Sequence, residues 1–249
     1  MNKLIIFDLD GTLAESKQPL SHEMATSLAR LLTLTKVAVI SGGALPQFLT
    51  QIVAQLPPET NLAHLYLLPT SGAAFYAYQN GDLKKVYEER LSEKEAHTIE
   101  TAVHTAVEET GLIDFKNPAY GERIEYRGSQ VTLSALGQHA PLAKKKAWDP
   151  THIKRATLRT AIAARLPEFS VGIGGTTSID ITKRDIDKAY GIRKLCERLG
   201  IKESEALYIG DELKEGGNDA VVYKTEVMTK SVKNPFETER VIQSLFTSA

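Results

Sequence analysis

The sequence is poor in cysteine and has no long apolar run. Cys196 is the only cysteine in 249 residues, so no internal disulfide can form, and it lacks the CxxC or Cys/His spacing of a zinc or thiol redox site. The apolar runs, such as Leu4 to Phe7 and Val37 to Ile40, are far shorter than the roughly 18 residues of a membrane span or the apolar region of a signal peptide. We therefore expect a soluble, cytoplasmic protein.

The chain also lacks an excess of charge of either sign. Lys and Arg number 30 against 31 Asp and Glu, for a net charge of -1, so no overall field attracts nucleic acid or an anionic membrane. The apolar content of 42% is enough to fill a core and excludes disorder. Any charge selectivity must come from a local pocket, which favours a small-molecule ligand.

Short apolar runs alternate with longer amphipathic stretches at both ends of the chain. In the first eighty residues the pattern predicts strands at 4–7, 37–40 and 65–68, and helices at 21–34 and 44–56. Near the C-terminus it predicts strands at 179–181, 206–209 and 226–228, and helices at 185–199 and 235–246. This alternation is typical of parallel βαβ units, so the fold class is α/β with a parallel sheet.

The middle of the chain has a different pattern. Asn80-Gly81 predicts a hairpin, and Ser92 with Glu95 predicts a helix start. Antiparallel strands are predicted at 123–127, 131–136 and 169–173, a helix at 149–165, and a solvated face or turn at the basic run 144–146. We expect an inserted α+β domain at residues 83–177, within a core formed by residues 1–82 and 178–249.

Two carboxylates, in Asp8-Leu9-Asp10-Gly11-Thr12, directly follow the first predicted strand. They lie at the carboxyl edge of a parallel sheet, where open α/β folds bind ligands. The plain alternative is a polar strand end. That alternative requires three further segments to be coincidences: Ser41-Gly42-Gly43 after the second strand, Lys188 on a helix, and Gly210-Asp211 with Asn218-Asp219 after a late strand.

These four segments, in this order, resemble the motifs of the haloacid dehalogenase (HAD) superfamily of phosphotransferases. The resemblance implies a Rossmann-like core with an inserted cap of the C2 type. It assigns Asp8 as the nucleophile that forms an aspartyl phosphate and Asp10 as general acid and base. It assigns Lys188 as the cation that compensates the charge on the nucleophile and the phosphate. Ser41, Gly42 and Gly43, together with Lys188, would bind phosphate.

The same resemblance implies a Mg²⁺ ion. Its ligands would be the Asp8 and Asp211 carboxylates and the Asp10 main-chain carbonyl, because Mg²⁺ prefers oxygen ligands. Asn218 and Asp219 would hold the lysine or the metal-bound waters.

Within the C2-capped proteins, the inserted segment is similar to that of the eukaryotic-type phosphomannomutases. The similarity lies in residues 122–127, 133–137 and 178–181. It implies sugar-phosphate contacts at Arg127, Ser178 and Asp180. The chain departs from that family at Thr132, where the family has Asn, and at Gln138 and Lys145, where it has Arg.

These departures bear on the reaction because arginine holds a phosphate in a bidentate manner, whereas lysine is a point charge and glutamine is neutral. A mutase must hold a second phosphate. We therefore expect a Mg²⁺-dependent phosphohydrolase that acts on a small phosphorylated sugar through an aspartyl phosphate. The alternatives are a phosphomannomutase or phosphoglucomutase with the same nucleophile, and a non-catalytic sugar-phosphate-binding protein, which would not need Asp10. A homodimer formed through the cap is a further expectation.

Overall fold

The computed structural model describes residues 2–247 and divides the chain into two compact units. The core unit comprises Met1–Glu88, Lys188–Glu215 and Asp219–Ala249. The inserted unit comprises Glu89–Asp187 and Gly216–Asn218.

Within the described residues the strands are β1 (Leu4–Phe7), β2 (Lys36–Ile40), β3 (Leu65–Leu68), β4 (Ala74–Gln79), β5 (Asp82–Glu88), β6 (Ile124–Tyr126), β7 (Gln130–Ser134), β8 (Phe169–Ile173), β9 (Ser178–Lys183), β10 (Ala206–Gly210) and β11 (Met228–Ser231). The helices are α1 (His22–Leu34), α2 (Leu45–Gln51), α3 (Glu93–Thr110), α4 (Leu142–Trp148), α5 (Ile153–Ala163), α6 (Lys188–Leu199) and α7 (Pro235–Thr247). None of the described helices combines the length and the apolar character needed to cross a membrane.

The core unit is built on a seven-stranded sheet in the order β11-β10-β1-β2-β3-β4-β5. The first five strands in this order are parallel, and β4 and β5 pair antiparallel. Two apolar clusters cover its two faces: one includes residues of α1, α2 and α7, and the other includes residues of α6. Burial on both faces explains why β1, β2 and β3 read as near-continuous apolar runs.

The inserted unit has a four-stranded antiparallel sheet in the order β6-β7-β9-β8. Side chains alternate between its faces with a period of two. Val131, Leu133, Ile179 and Ile181 join an apolar cluster with residues of α3 and α5. Helix α3 begins with the predicted capping box, in which Ser92 and Glu95 each accept a backbone N–H. One face of this sheet is therefore apolar and covered by helices.

The α/β class with a parallel sheet is confirmed, and the predicted hairpin is present, with Asn80 and Gly81 at φ values of 53° and 85°. The division between the units lies elsewhere than we expected. Strand β5 pairs with β4 in the core sheet, and β9 pairs with β7 and β8 in the inserted sheet. The boundaries are consequently 88/89 and 187/188 rather than 82/83 and 177/178.

Three local predictions were wrong. The helix predicted at 44–56 ends at Gln51 and continues as a 3₁₀ turn at Val53–Gln55, and the strand predicted at 226–228 lies at Met228–Ser231. The basic run 144–146 is not fully solvated. It lies on α4, and the helical turn directs Lys145 inward, where it is buried.

Candidate active site

Three adjacent parallel strands bring the first, second and fourth sequence motifs to one edge of the core sheet. Asp8 follows β1, Ser41 follows β2, and Asp211 follows β10. Because β1 pairs with both β2 and β10, these residues lie side by side at the carboxyl end of the sheet. Lys188 begins α6, and its Nζ atom lies 2.6 Å from Asp8 Oδ1.

Asp219 holds the lysine in place. Lys188 Nζ donates a hydrogen bond to Asp219 Oδ1 over 2.7 Å, and the Tyr208 hydroxyl donates to the same oxygen over 2.6 Å. The other oxygen, Oδ2, accepts the Glu212 backbone N–H over 3.1 Å. Asp219, Lys188 and Tyr208 are all buried. Three donors occupy Asp219, so it acts as the counter-ion and anchor of Lys188.

The buried cluster carries more negative than positive charge. Oxygen atoms of Asp8, Asp211 and Asp219 lie within 4.8 Å of one another, and Lys188 is the ammonium bonded to two of them. Burial raises the pKa of Asp8 well above its ordinary value, Lys188 opposes this rise, and Asp219 and Asp211 add to it. Burial and the nearby Asp219 and Glu212 carboxylates raise the pKa of Asp211 to about 6.

The pKa of Lys188 shifts in the opposite direction to that of an ordinary buried amine. Burial alone would lower the pKa of Lys188, but Asp219 and Asp8 outweigh it and raise the pKa above its usual range. Lys188 is therefore positively charged, and three carboxylates with one ammonium leave two surplus negative charges in their ionised state.

This arrangement fits a hard divalent cation. Asp8 Oδ2 is buried and has no hydrogen-bond partner among residues 2–247, so one carboxylate oxygen remains available as a ligand. Asp211 Oδ1 accepts a hydrogen bond from the Thr12 hydroxyl over 3.2 Å, which orients that carboxylate. Carboxylate oxygens are the donors that Mg²⁺ prefers, and one such ion would offset both surplus charges.

Gly11 keeps the space beside Asp211 open. Its φ is 98°, a left-handed conformation that favours glycine, and a Cβ atom there would lie 2.4 Å from Asp211 Oδ2. The Gly in the Asp-x-Asp-Gly-Thr segment is thus required by the backbone and by the neighbouring carboxylate.

The loop after β2 is held by its own hydrogen bonds. The Ser41 hydroxyl accepts the Gly43 N–H over 3.3 Å, while the Ser71 and Thr70 N–H groups donate to the Ser41 and Gly43 carbonyls. A phosphate at Ser41, Gly42 and Gly43 would compete with the first of these bonds. Phosphate binding by this loop stays a prediction.

In the inserted unit, the predicted substrate residues form two polar groups. In the first, Arg127 Nη2 donates to Glu125 Oε2 over 2.6 Å and to Gln138 Oε1 over 3.2 Å. The buried Lys145 donates through Nζ to the Gln138 carbonyl over 3.3 Å. The structure therefore brings Arg127, Gln138 and Lys145 together.

The second polar group lines the face of the inserted sheet opposite its apolar face. The β7 residues Gln130, Thr132 and Ser134 pair with Thr182, Asp180 and Ser178 of β9. The Thr132 hydroxyl donates to Asp180 Oδ1 over 2.8 Å, and the Ser134 and Ser178 hydroxyl oxygens are 3.2 Å apart. Ser178 and Asp180 thus belong to a strip of hydroxyl, amide and carboxylate groups. Asn218 Oδ1 is buried and has no hydrogen-bond partner in the described part of the chain, and its role stays a prediction.

Three residues to which the sequence assigned no role contact the motif side chains. Tyr208 binds Asp219, Thr12 binds Asp211, and the Gln47 amide donates to Asp10. One signal was available for Tyr208, because a hydroxyl inside an apolar parallel strand needs a buried partner. Gln47 offered no such signal, since a polar residue on a short helix is ordinary.

Relatives of known activity cover almost all of the chain. Phosphomannomutase of Saccharomyces cerevisiae is 24% identical over 249 residues, which are 98% of this chain and 94% of that protein. Phosphomannomutase of Encephalitozoon cuniculi is 27% identical over 248 residues, which are 96% of this chain and 91% of that protein.

Solved structures show the same fold at lower sequence identity. The IMP-nucleotidase of Plasmodium falciparum matches with a TM-score of 0.71 and 14% identity, covering 99% of this chain and 68% of that chain. SMU.1108c of Streptococcus mutans matches with a TM-score of 0.67 and 16% identity, covering 99% of this chain and all of that chain.

The family assignment follows from the sequence profile of haloacid dehalogenase-like hydrolases, which matches residues 5–219. Together with the phosphomannomutase relatives, it confirms that the protein is an enzyme, either a phosphatase or a phosphohexomutase of this superfamily. The chain belongs to the haloacid dehalogenase-like hydrolase family.

Proposed function

We propose that the protein is a Mg²⁺-dependent phosphohydrolase that acts on a small phosphorylated sugar through an aspartyl phosphate on Asp8. The buried cluster of Asp8, Asp211, Asp219 and Lys188 supports the catalytic half of this proposal. A bound Mg²⁺ would be held by Asp8 and Asp211, with the Asp10 carbonyl as a third ligand, and would offset the charge of the phosphate and its nucleophile.

In the first step a carboxylate oxygen of Asp8 forms a bond to phosphorus as the ester P–O bond breaks. The departing oxygen keeps the bonding electron pair and takes a proton from the Asp10 carboxylic acid. In the second step water attacks phosphorus and gives a proton to Asp10, the aspartyl P–O bond breaks, and inorganic phosphate leaves. Lys188 stays bonded to Asp8 and Asp219 and opposes the negative charge that gathers on the phosphoryl oxygens.

The side chains of Arg127, Gln138 and Lys145 support the choice of a hydrolase over a mutase. Arg127 is bonded to the Glu125 carboxylate, and Gln138 adds no charge. Lys145 is buried against the Gln138 carbonyl. The Asp180 carboxylate accepts a hydrogen bond from the Thr132 hydroxyl. Neither Gln138 nor Lys145 offers the bidentate guanidinium that would hold a second phosphate.

The polar strip on β7 and β9 instead suits the hydroxyl groups of a sugar. Thr132 and Ser134 are buried and bonded to Asp180 and Ser178. Ser178 and Asp180 are partly exposed, so the Ser178 hydroxyl can donate or accept, and the Asp180 carboxylate can accept, a hydrogen bond from a polyol. Arg127, Gln138, Lys145, Ser178 and Asp180 are the proposed substrate-binding residues. The alternative, a phosphomannomutase or phosphoglucomutase, is favoured by the names of the relatives.

A panel of hexose and pentose phosphates tests the proposal. Inorganic phosphate release and interconversion of 1- and 6-phosphates are measured in parallel, with and without a hexose 1,6-bisphosphate as activator. Asp8→Asn protein serves as the blank. We expect phosphate release to exceed interconversion; efficient bisphosphate-dependent interconversion with negligible phosphate release would instead establish the mutase. Phosphate release equal to that of the blank, with no interconversion, would leave only a binding protein.

A further inference from the structure

Both carboxylate oxygens of Asp10 accept hydrogen bonds within the core unit. The backbone N–H of Lys17 donates to Oδ1 over 2.7 Å, and the side-chain amide of Gln47 donates to Oδ2 over 3.1 Å. One donor on each oxygen restrains rotation of the carboxyl group about its bond to Cβ. The Lys17 donor belongs to the main chain. Of these two bonds, the one from Gln47 is therefore the one that depends on the identity of a side chain.

Gly43 provides the space that the Gln47 side chain occupies. Gln47 lies on α2, four residues after Gly43. A Cβ atom at Gly43 would lie 2.5 Å from Gln47 Oε1 and 2.7 Å from its Cδ, too close for either group to remain in place. The absence of a side chain at Gly43 thus leaves room for the Gln47 carboxamide in the position from which it bonds to Asp10.

We propose that Gln47 is a positioning residue that orients Asp10 for proton transfer. This inference rests on the proposed function, in which Asp10 protonates the departing ester oxygen and then takes a proton from water. The shorter bond, from the Lys17 N–H, anchors Oδ1. The Gln47 amide holds Oδ2, so loss of this donor would free the carboxyl group to rotate away from the orientation that proton transfer needs. Gln47 contacts neither Asp8 nor Lys188 in any hydrogen bond of the described structure.

The test uses Gln47→Met, which keeps the length of the side chain and removes the donor. Phenyl phosphate and p-nitrophenyl phosphate are matched probes that differ mainly in how much the departing oxygen needs a proton. We expect kcat/KM for phenyl phosphate to fall on the order of 10-fold or more, a part of what a general acid contributes. For p-nitrophenyl phosphate we expect kcat/KM to stay within about threefold of wild type, because p-nitrophenolate leaves without a proton.

The second step gives an independent readout with p-nitrophenyl phosphate. Hydrolysis of the aspartyl phosphate needs Asp10 as a base whichever ester formed it. In the Gln47→Met variant kcat and KM for p-nitrophenyl phosphate should therefore fall together, with an initial burst of p-nitrophenolate. A variant that is merely less well folded would show neither the burst nor the dependence on the leaving group.

Two controls lie on the same segment. Gln55→Ala removes an exposed amide that bonds to the Thr50 carbonyl and should leave both substrates unaffected. Phe48→Leu reduces a buried side chain next to Gln47 and should lower turnover of both substrates equally, if at all. Equal losses of kcat/KM on both substrates in Gln47→Met, or no loss, would overturn this inference but not the proposed function. Wild-type hydrolysis no greater than that of Asp8→Asn would overturn the proposed function and the inference with it.

Discussion

Lys188→Met gives the sharpest test of the buried charge cluster. Methionine preserves the length and most of the volume of the side chain but removes the ammonium that lies 2.6 Å from Asp8 and 2.7 Å from Asp219. Both carboxylates are at most 2% exposed, so water cannot replace the lost partner. Removing one member of a buried ion pair costs about 3–5 kcal/mol, and here two carboxylates lose the same cation.

The assay is urea unfolding of the chelated protein at neutral pH. A loss of about 4 kcal/mol, with an m-value of about 3 kcal/mol/M, moves the midpoint down by roughly 1.3 M. The matched control is Lys194→Met on the same helix, where the lysine forms an exposed pair with Glu197 that is worth at most about 0.5 kcal/mol. The m-value should be the same in all three proteins, because the surface exposed on unfolding is unchanged.

The pH dependence of the deficit identifies its cause. Burial already raises the pKa of Asp8, and in Lys188→Met, without the opposing ammonium, that folded-state pKa lies further above the unfolded value of about 3.9. A carboxyl group with a raised folded pKa penalises folding as the pH rises through that pKa, and the penalty disappears below the unfolded value. The deficit should therefore be smaller near pH 5 than near pH 8. A deficit below about 1 kcal/mol at neutral pH would refute the role of Lys188 as the counter-ion.

Four further predictions concern the chemistry of the protein. Asp8→Asn should abolish turnover while the protein stays folded, as measured by phosphate release and circular dichroism, because the nucleophile is lost. Near wild-type activity would show that Asp8 is not the nucleophile. Mg²⁺ should activate the enzyme, EDTA should abolish its activity, and Ca²⁺ should bind but inhibit. Full activity after exhaustive chelation would refute the proposed metal dependence. Because the pKa of Asp211 is about 6 in the metal-free protein, Mg²⁺ affinity measured by calorimetry should weaken as the pH falls below that value, by up to about tenfold per pH unit. An affinity that does not change between pH 7 and pH 5 would contradict this prediction. Gln138→Arg with Lys145→Arg should shift the product ratio from phosphate release toward interconversion, since each arginine adds a charged hydrogen bond worth about 1.5–3 kcal/mol, and an unchanged ratio would count against the assignment of these positions.

The sequence by itself determined the elements whose causes are local. The strands β1, β2 and β3 were located from short runs of consecutive apolar residues, because strands buried on both faces have no polar alternation. The hairpin at Asn80-Gly81 and the capping box at Ser92 and Glu95 were also predictable, since each depends on residues within a few positions of one another. The four motifs could likewise be read in order, because each follows a strand or begins a helix.

Only the tertiary structure decided the contacts that join distant parts of the chain. The bonds from Tyr208 to Asp219 and from Gln47 to Asp10 span 11 and 37 residues, and no local pattern encodes them. The burial of Lys145 depends on which side of α4 faces the inserted unit's own interior, which a run of three lysines does not reveal. The same holds for β5, whose membership in the core sheet follows from its pairing with β4. Propensity and periodicity act along the chain, whereas pairing, burial and charge compensation depend on which segments meet in space.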